Sequence, residues 1–336
     1  MQAESRSSQE NPTNLRFETV MKTIYVCLSS VMLVALLLGA AHAMPLSSAG
    51  RTVIPADLQQ LISVDYRAIH DSPTATALKT QIMQAQQNLE QFETALKGIG
   101  INPDKDVDTL AFASFRTPKQ GVKGVGVAAG PFAMKTVLKK MTAQKIKPTK
   151  YHQSNIYPMD GGFVMTFLDD STLLFGEISA VKIALDTRDG DVLGLDTNQT
   201  MADMMSSVDS APVWSILDQL GTQNVMRSAL GDAAKIADYE TLKKRLLGSR
   251  YTMSFSGGVN FDLTVVSSDS MSAATLSSLV KAGLLYKKMS ASATEKLAMD
   301  NTSVDSDGSD VNFHFKSTDQ QFQSIMHSDL FAAVSR

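Results

Sequence analysis

The chain has 336 residues, with 31 Lys and Arg against 34 Asp and Glu, a net charge of −3, and a composition that is 43% apolar and 19% charged. The lack of a basic excess excludes the electrostatic footprint of a nucleic-acid binder, and the apolar content excludes a chain disordered beyond its ends, being enough for one large core or two smaller ones. The single cysteine, Cys27, excludes an internal disulfide framework.

Residues 21–43, MKTIYVCLSSVMLVALLLGAAHA, read as an export signal. Lys22 precedes an apolar run from Ile24 to Leu38, and Ala41-His42-Ala43 is the small-x-small pattern a signal peptidase cuts, leaving Met44 first. The polar residues 1–20 have no place in such a signal, and Met21 is expected to be the true start. Arg6, Arg16 and Lys22 balance Glu4, Glu10 and Glu18, so removing the leader leaves the net charge at −3. Cys27 leaves with it, and a cysteine-free exported chain points to bacterial export, in the periplasm or secreted. The alternative keeps residues 24–43 as an uncleaved anchor in the inner membrane, long enough to span it; the membrane is otherwise not expected as a partner.

Two units are expected beyond the leader, residues 44–195 and 196–336. In the first, Pro55 to Tyr66 is apolar-patterned, and Ser72 caps a helix with Pro73 at its first position. Leu78, Ile82, Ala85, Leu89, Phe92 and Leu96 recur at helical spacing up to Gly98, predicting a helix over residues 73–97, about 37 Å long at 1.5 Å per residue. That stripe packs on its own sheet or serves as the seam of a homodimer. Leu110, Phe112 and Ser114 then alternate on one face of a strand whose partner is Val122 to Ala129. A helix from Phe132 carries Val137, Leu138 and Met141 inward and ends at Lys147-Pro148. Strands follow at Tyr151–Tyr157, Phe163–Phe167 and Thr172–Phe175, then a helix from Glu177 to Thr187.

In the second unit, a short helix at Ala202–Val208 precedes a strand at Val213–Leu217, and Ile236, Tyr239, Leu242 and Leu246 mark a further helix. Tyr251–Ser256, Gly257-Gly258 and Phe261-Leu263-Val265 form a hairpin, followed by a helix over residues 271–288. A second hairpin pairs Leu297–Val304 with Val311-Phe313-Phe315, and Phe322, Ile325 and Met326 face inward from a last helix. Both halves share the order strand, strand, helix, hairpin, helix, which predicts an internal duplication of residues 108–188 and 250–330. The expected fold class is α+β: two similar units of antiparallel sheet with helices on one face, preceded by the long amphipathic helix.

Motifs that carry chemistry are sparse, and no cofactor is expected. Ser179 and Lys182 match S-x-x-K, in which the lysine eases deprotonation of the serine as in penicillin-recognising hydrolases, but neither S-D-N nor K-T-G follows. Met201, Met204 and Met205 put three thioethers on one helix face, as copper(I) or a buried core stripe requires. Asp305, Asp307, Gly308 and Asp310 imitate a calcium loop whose twelfth position is His314 instead of Glu, and a hairpin turn explains them better. Gly124-Val125-Gly126 and Ala129 imitate a dinucleotide fingerprint but lie within a strand. His70, His152, His314 and His327 stand outside metal-ligand spacing of one another. Asp65, Tyr66, Arg67, His70 and Asp71 gather polar groups before the long helix, where His70 is a candidate base. Trp214 is read as a core or seam anchor.

With its leader, repeated antiparallel units and the acidic turn Phe167-Leu168-Asp169-Asp170-Ser171-Thr172, the chain resembles bacterial exported proteins carrying a duplicated domain of unknown function. The resemblance implies no catalytic residues. The leading expectation is a non-enzymatic envelope protein that binds a partner protein or an apolar, envelope-derived ligand between its repeated units. The alternatives are a serine-type hydrolase using Ser179 and Lys182, and a structural homodimer through helix 73–97.

Overall fold

The computed structural model describes residues 45–85, 94, 96–118, 121–159, 162–230 and 239–326. The leader, residues 86–93 of the long amphipathic stripe, and His327 lie outside them. The described residues form twelve strands: β1 Leu58–Asp65, β2 Thr109–Thr117, β3 Gly121–Ala129, β4 Thr149–Tyr151, β5 Ser154–Pro158, β6 Phe163–Phe167, β7 Thr172–Glu177, β8 Val213–Asp218, β9 Leu246–Ser254, β10 Val259–Ser267, β11 Thr302–Asp307 and β12 Asp310–Ser317. Helices of eight or more residues are α1 Pro73–Ala85, α2 Met134–Ala143, α3 Ile178–Asp189, α4 Gln199–Ser206, α5 Gln219–Leu230, α6 Ser270–Ser290, α7 Ala293–Asp300 and α8 Asp319–Met326. None of the described helices is long and apolar enough to cross a membrane.

The strands make one antiparallel sheet in the order β11-β12-β10-β9-β8-β1-β2-β3-β7-β6-β5-β4. Walking outward from the β1–β8 pair gives the same sequence of strands on each side: β1-β2-β3-β7-β6 one way and β8-β9-β10-β12-β11 the other. The β4–β5 hairpin extends the first half alone. The two halves join where Leu61 faces Ile216 and Ser63 faces Trp214 across β1 and β8.

The fold is α+β, as the alternation of period-two and helical segments requires. Register assigns the faces, because side chains opposite one another point the same way. Leu61, Ala111, Ala113, Phe115, Trp214 and Ile216 pack into one cluster with Ala180, Val181 and Leu185 of α3 and the methionines of α4. Leu110 and Phe112, alternate residues of β2, pack with Val137 and Met141 of α2 on the opposite face. The outer strands β10 to β12 have helices on one face only among the described residues: Val265 and Val311 lie under Ala273, Leu276 and Val280 of α6, while Val259 and Phe315 meet Phe322 and Met326 of α8. The reverse side of β10 and β12 carries Asp262, Thr264, Asn312, His314 and Lys316, as a solvated face should.

Several elements differ from the sequence expectation for local reasons. Residues 151–157, read as one strand, fold back into β4 and β5 because His152 adopts φ 48°, a left-handed turn conformation. Leu297, expected in a strand, lies in α7, which Ser292 and Glu295 start with a reciprocal capping box. The helix read through Leu246 ends earlier, and Leu246 opens β9. Ser72 caps α1 as expected, accepting from the Ala75 amide at 3.1 Å. Ala77 and Leu78 of that helix pack beside Phe255 and Phe322.

Candidate functional site

The middle of the sheet is closed on one side and half-open on the other. Leu61, Trp214 and Ile216 are at most 1% exposed beneath α3 and α4. Their neighbours on the reverse side, Ile62 and Val64 of β1, Val213 of β8, Tyr251 and Met253 of β9 and Phe261 of β10, are only half-buried. The register Val64↔Val213, Val213↔Met253 and Met253↔Phe261 makes these residues one continuous apolar strip across the seam. α5 closes one end, through a buried hydrogen bond between the Thr222 and Ser249 hydroxyls at 2.8 Å. α1 and α8 close the other. Within the strip the Tyr251 and Phe261 rings lie 5.3 Å apart. Burial pushes the Tyr251 phenol above its usual range, opposed by a hydrogen bond with Ser215.

The residues singled out from sequence lie elsewhere. Met201, Met204 and Met205 are 2%, 4% and 1% exposed and fill the core beside Trp214. Ser179 and Lys182 both lie on α3, but the Lys182 ammonium sits over the Tyr151 ring, 4.9 Å from its centroid, and no hydrogen bond joins it to Ser179. Trp214 anchors the seam between the halves, the role assigned to it from sequence. Gly126 lies in β3, where an added Cβ would come 2.0 Å from the Phe175 ring. The small residues of the apparent dinucleotide fingerprint therefore admit an aromatic from the neighbouring strand. Asp305, Asp307 and Asp310 belong to the β11–β12 hairpin, which turns at Gly308 with φ 55°.

His70 lines an open cleft of ≈ 270 Å³ with Tyr66, Arg67, Asp104 and Asp108. Arg67 and the nearby Lys79 are paired with its carboxylates. Arg67 Nη2 donates to Asp108 at 2.8 Å, Lys79 donates to Asp104 at 2.8 Å, and His70 Nδ1 is 2.9 Å from Asp71. The Lys79 hydrogen bond holds the Asp104 carboxyl below its ordinary range. Asp65 spends its carboxylate capping the Ala68 amide at 3.0 Å. A second cleft, of ≈ 310 Å³, opens on the polar face where His314 Nδ1 lies 2.6 Å from Asp262 Oδ1.

Sequence spacing missed one constellation. The hairpin turn at His152 brings its imidazole against the C-terminal end of α3, where Nε2 is 3.3 Å from Asp186 Oδ1 and Nδ1 is 3.6 Å from Asp189 Oδ2. Tyr151 donates to Asp186 at 2.8 Å. The hydrogen bond to Asp186 pushes the Tyr151 phenol up, aided by burial and the charges of Asp186, Asp191 and Asp189. The available local signal was Gly190, whose left-handed φ of 89° ends α3 and returns Asp191 to Asp186.

No protein-family description matches the chain, and no curated protein matches it. Among solved structures it is similar to crystal form I of TP0453, with TM-score 0.45 and 10% identity over 85% of this chain and 97% of that one. It is likewise similar to crystal form III of TP0453, with TM-score 0.44 and 8% identity over 85% and 98% of the two chains.

Proposed function

We propose that this chain is an exported, non-enzymatic protein of the cell envelope that binds an apolar ligand against the half-open strip at the seam of a duplicated α+β unit. The carrying observation is that Ile62, Val64, Val213, Tyr251, Met253 and Phe261 are apolar yet half-buried in strands near the middle of a twelve-stranded sheet. Leaving such surface in water costs about 25 cal/mol per Å², and an apolar occupant recovers that energy. The residue pattern of the leader supports export, and the matching strand order on either side of β1–β8 supports duplication. Among the histidines and carboxylates around His70, the matched ion pairs favour a structural role over catalysis.

Protein purified from cell envelopes should yield an acyl-chain compound on organic extraction and mass spectrometry. Tyr251→Asp, which places a charge in the strip, should empty it. Protein that emerges without apolar ligand, and leaves the fluorescence of 1-anilinonaphthalene-8-sulfonate unchanged, would sink the reading. Co-purification of a second protein that protects the strip would make the occupant a partner segment instead of a small molecule.

A further inference from the structure

We propose that His152, Asp186 and Asp191 form a binding site for a divalent transition-metal ion of the zinc type. Two pieces of chain supply the ligands: the β4–β5 turn gives His152, and the end of α3 gives Asp186 in its last turn and Asp191 just after its left-handed Gly190. One ligand atom from each lies within 4.8 Å of the other two. The imidazole and the first carboxylate already have the right separation. Two ligands at 2.0–2.1 Å from a tetrahedral ion stand about 3.3 Å apart, and His152 Nε2 is 3.3 Å from Asp186 Oδ1. The Asp191 side chain is exposed and makes no hydrogen bond or ion pair among the described residues, so it can swing inward by the at most about 1.5 Å that separates the 4.8 Å limit from that tetrahedral spacing.

The surroundings of the imidazole match those of a metal ligand. Metal-bound histidines characteristically donate their second ring nitrogen to a carboxylate that fixes tautomer and orientation. His152 Nδ1 has Asp189 Oδ2 as its neighbour at 3.6 Å, longer than a hydrogen bond, so a small turn of the ring would make that bond. Asp189 is itself held by Arg188, whose Nε and Nη2 donate to its two oxygens at 2.8 and 3.1 Å. Arg188 thereby neutralises Asp189, leaving Asp186 and Asp191 as the two carboxylates whose charge a divalent ion balances. The C-terminal end of α3 adds the negative pole of a helix. An imidazole among carboxylates selects zinc-like ions over calcium or magnesium, which take oxygen ligands in larger number.

The test is titration of the purified, chelator-stripped protein with Zn²⁺ by calorimetry and with Co²⁺ by visible absorption. One equivalent should bind, with the intense bands of low-symmetry cobalt, and a tenfold excess of Ca²⁺, on the order of the selectivity sought, should not displace it. His152→Asn keeps a residue tolerant of the left-handed turn but removes the imidazole; it and Asp191→Asn should each weaken binding by about tenfold or more, and Asp189→Asn by about tenfold. His314→Asn, at the other Asp-flanked histidine, should change nothing. Absence of binding would overturn the site, as would binding that survives both His152→Asn and Asp191→Asn, which would mark an adventitious ion only.

Discussion

Met204 shows how a residue with two chemical readings is decided by its surroundings. Its methyl lies where a Cβ on Gly248 would come within 2.7 Å, and with Met201 and Met205 it packs on the Trp214 side of the sheet. A packing role predicts that Met204→Leu changes stability by less than about 1.5 kcal/mol, whereas Met204→Ala costs about 2–5 kcal/mol, both read from urea midpoints. A copper role predicts the reverse emphasis, with Leu as damaging as Ala to metal retention. The stripe itself was legible in sequence, since Met201, Met204 and Met205 needed only helical spacing to share a face. His152, Asp186 and Asp191 were not legible. Their proximity depends on a left-handed histidine and a left-handed glycine cap in different segments, and neither leaves a spacing rule in the chain.

At the scale of elements, α6 illustrates local chemistry that sets a boundary. Asp269 caps it by accepting from the Ser272 amide at 2.8 Å. That bond, with those from the Ser268 and Ser272 hydroxyls, holds the Asp269 carboxyl below its ordinary 3.8. A depressed carboxyl contributes stability that is present above the unfolded value and lost as pH falls through the folded one. Asp269→Asn keeps the cap without the charge, so its urea midpoint should fall below that of the parent at pH 6, and the gap should start to close below the unfolded aspartate value of about 3.9 and vanish only as pH falls through the lowered folded value. The same class of local signal made Ser72-Pro73 and the Gly257-Gly258 turn readable in advance. α5, which follows β8 directly and packs on β8 and β9, as in the Thr222–Ser249 hydrogen bond, was not read in advance.

For the molecule as a whole, β1 and β8 join both halves into one sheet, and Trp214, 1% exposed, sits at that joint. Arg116 of β2 reaches across β1 to the Asp218 carboxylate of β8, Nη2 donating to Oδ1 at 3.2 Å. This continuity predicts one cooperative unfolding transition, with Trp214 fluorescence and far-ultraviolet dichroism sharing a midpoint; two separated midpoints would show that the halves melt independently. The order of elements within each half was readable from hydrophobic period, but the β1–β8 pairing was not, because strands so distant in sequence carry no local record of their meeting.

That pairing also dictates an order of events. Synthesis runs from the N-terminus, so β1 can pair with β2, and β2 with β3, long before residue 213 exists, while the other edge of β1 stays a row of unpaired amides and carbonyls. An open edge recruits whatever strand arrives first, and closing so long a loop is entropically slow. Until β8 docks, the nascent chain is therefore most exposed to mispairing at Gln60–Val64, the stretch that afterwards holds the middle of the sheet together.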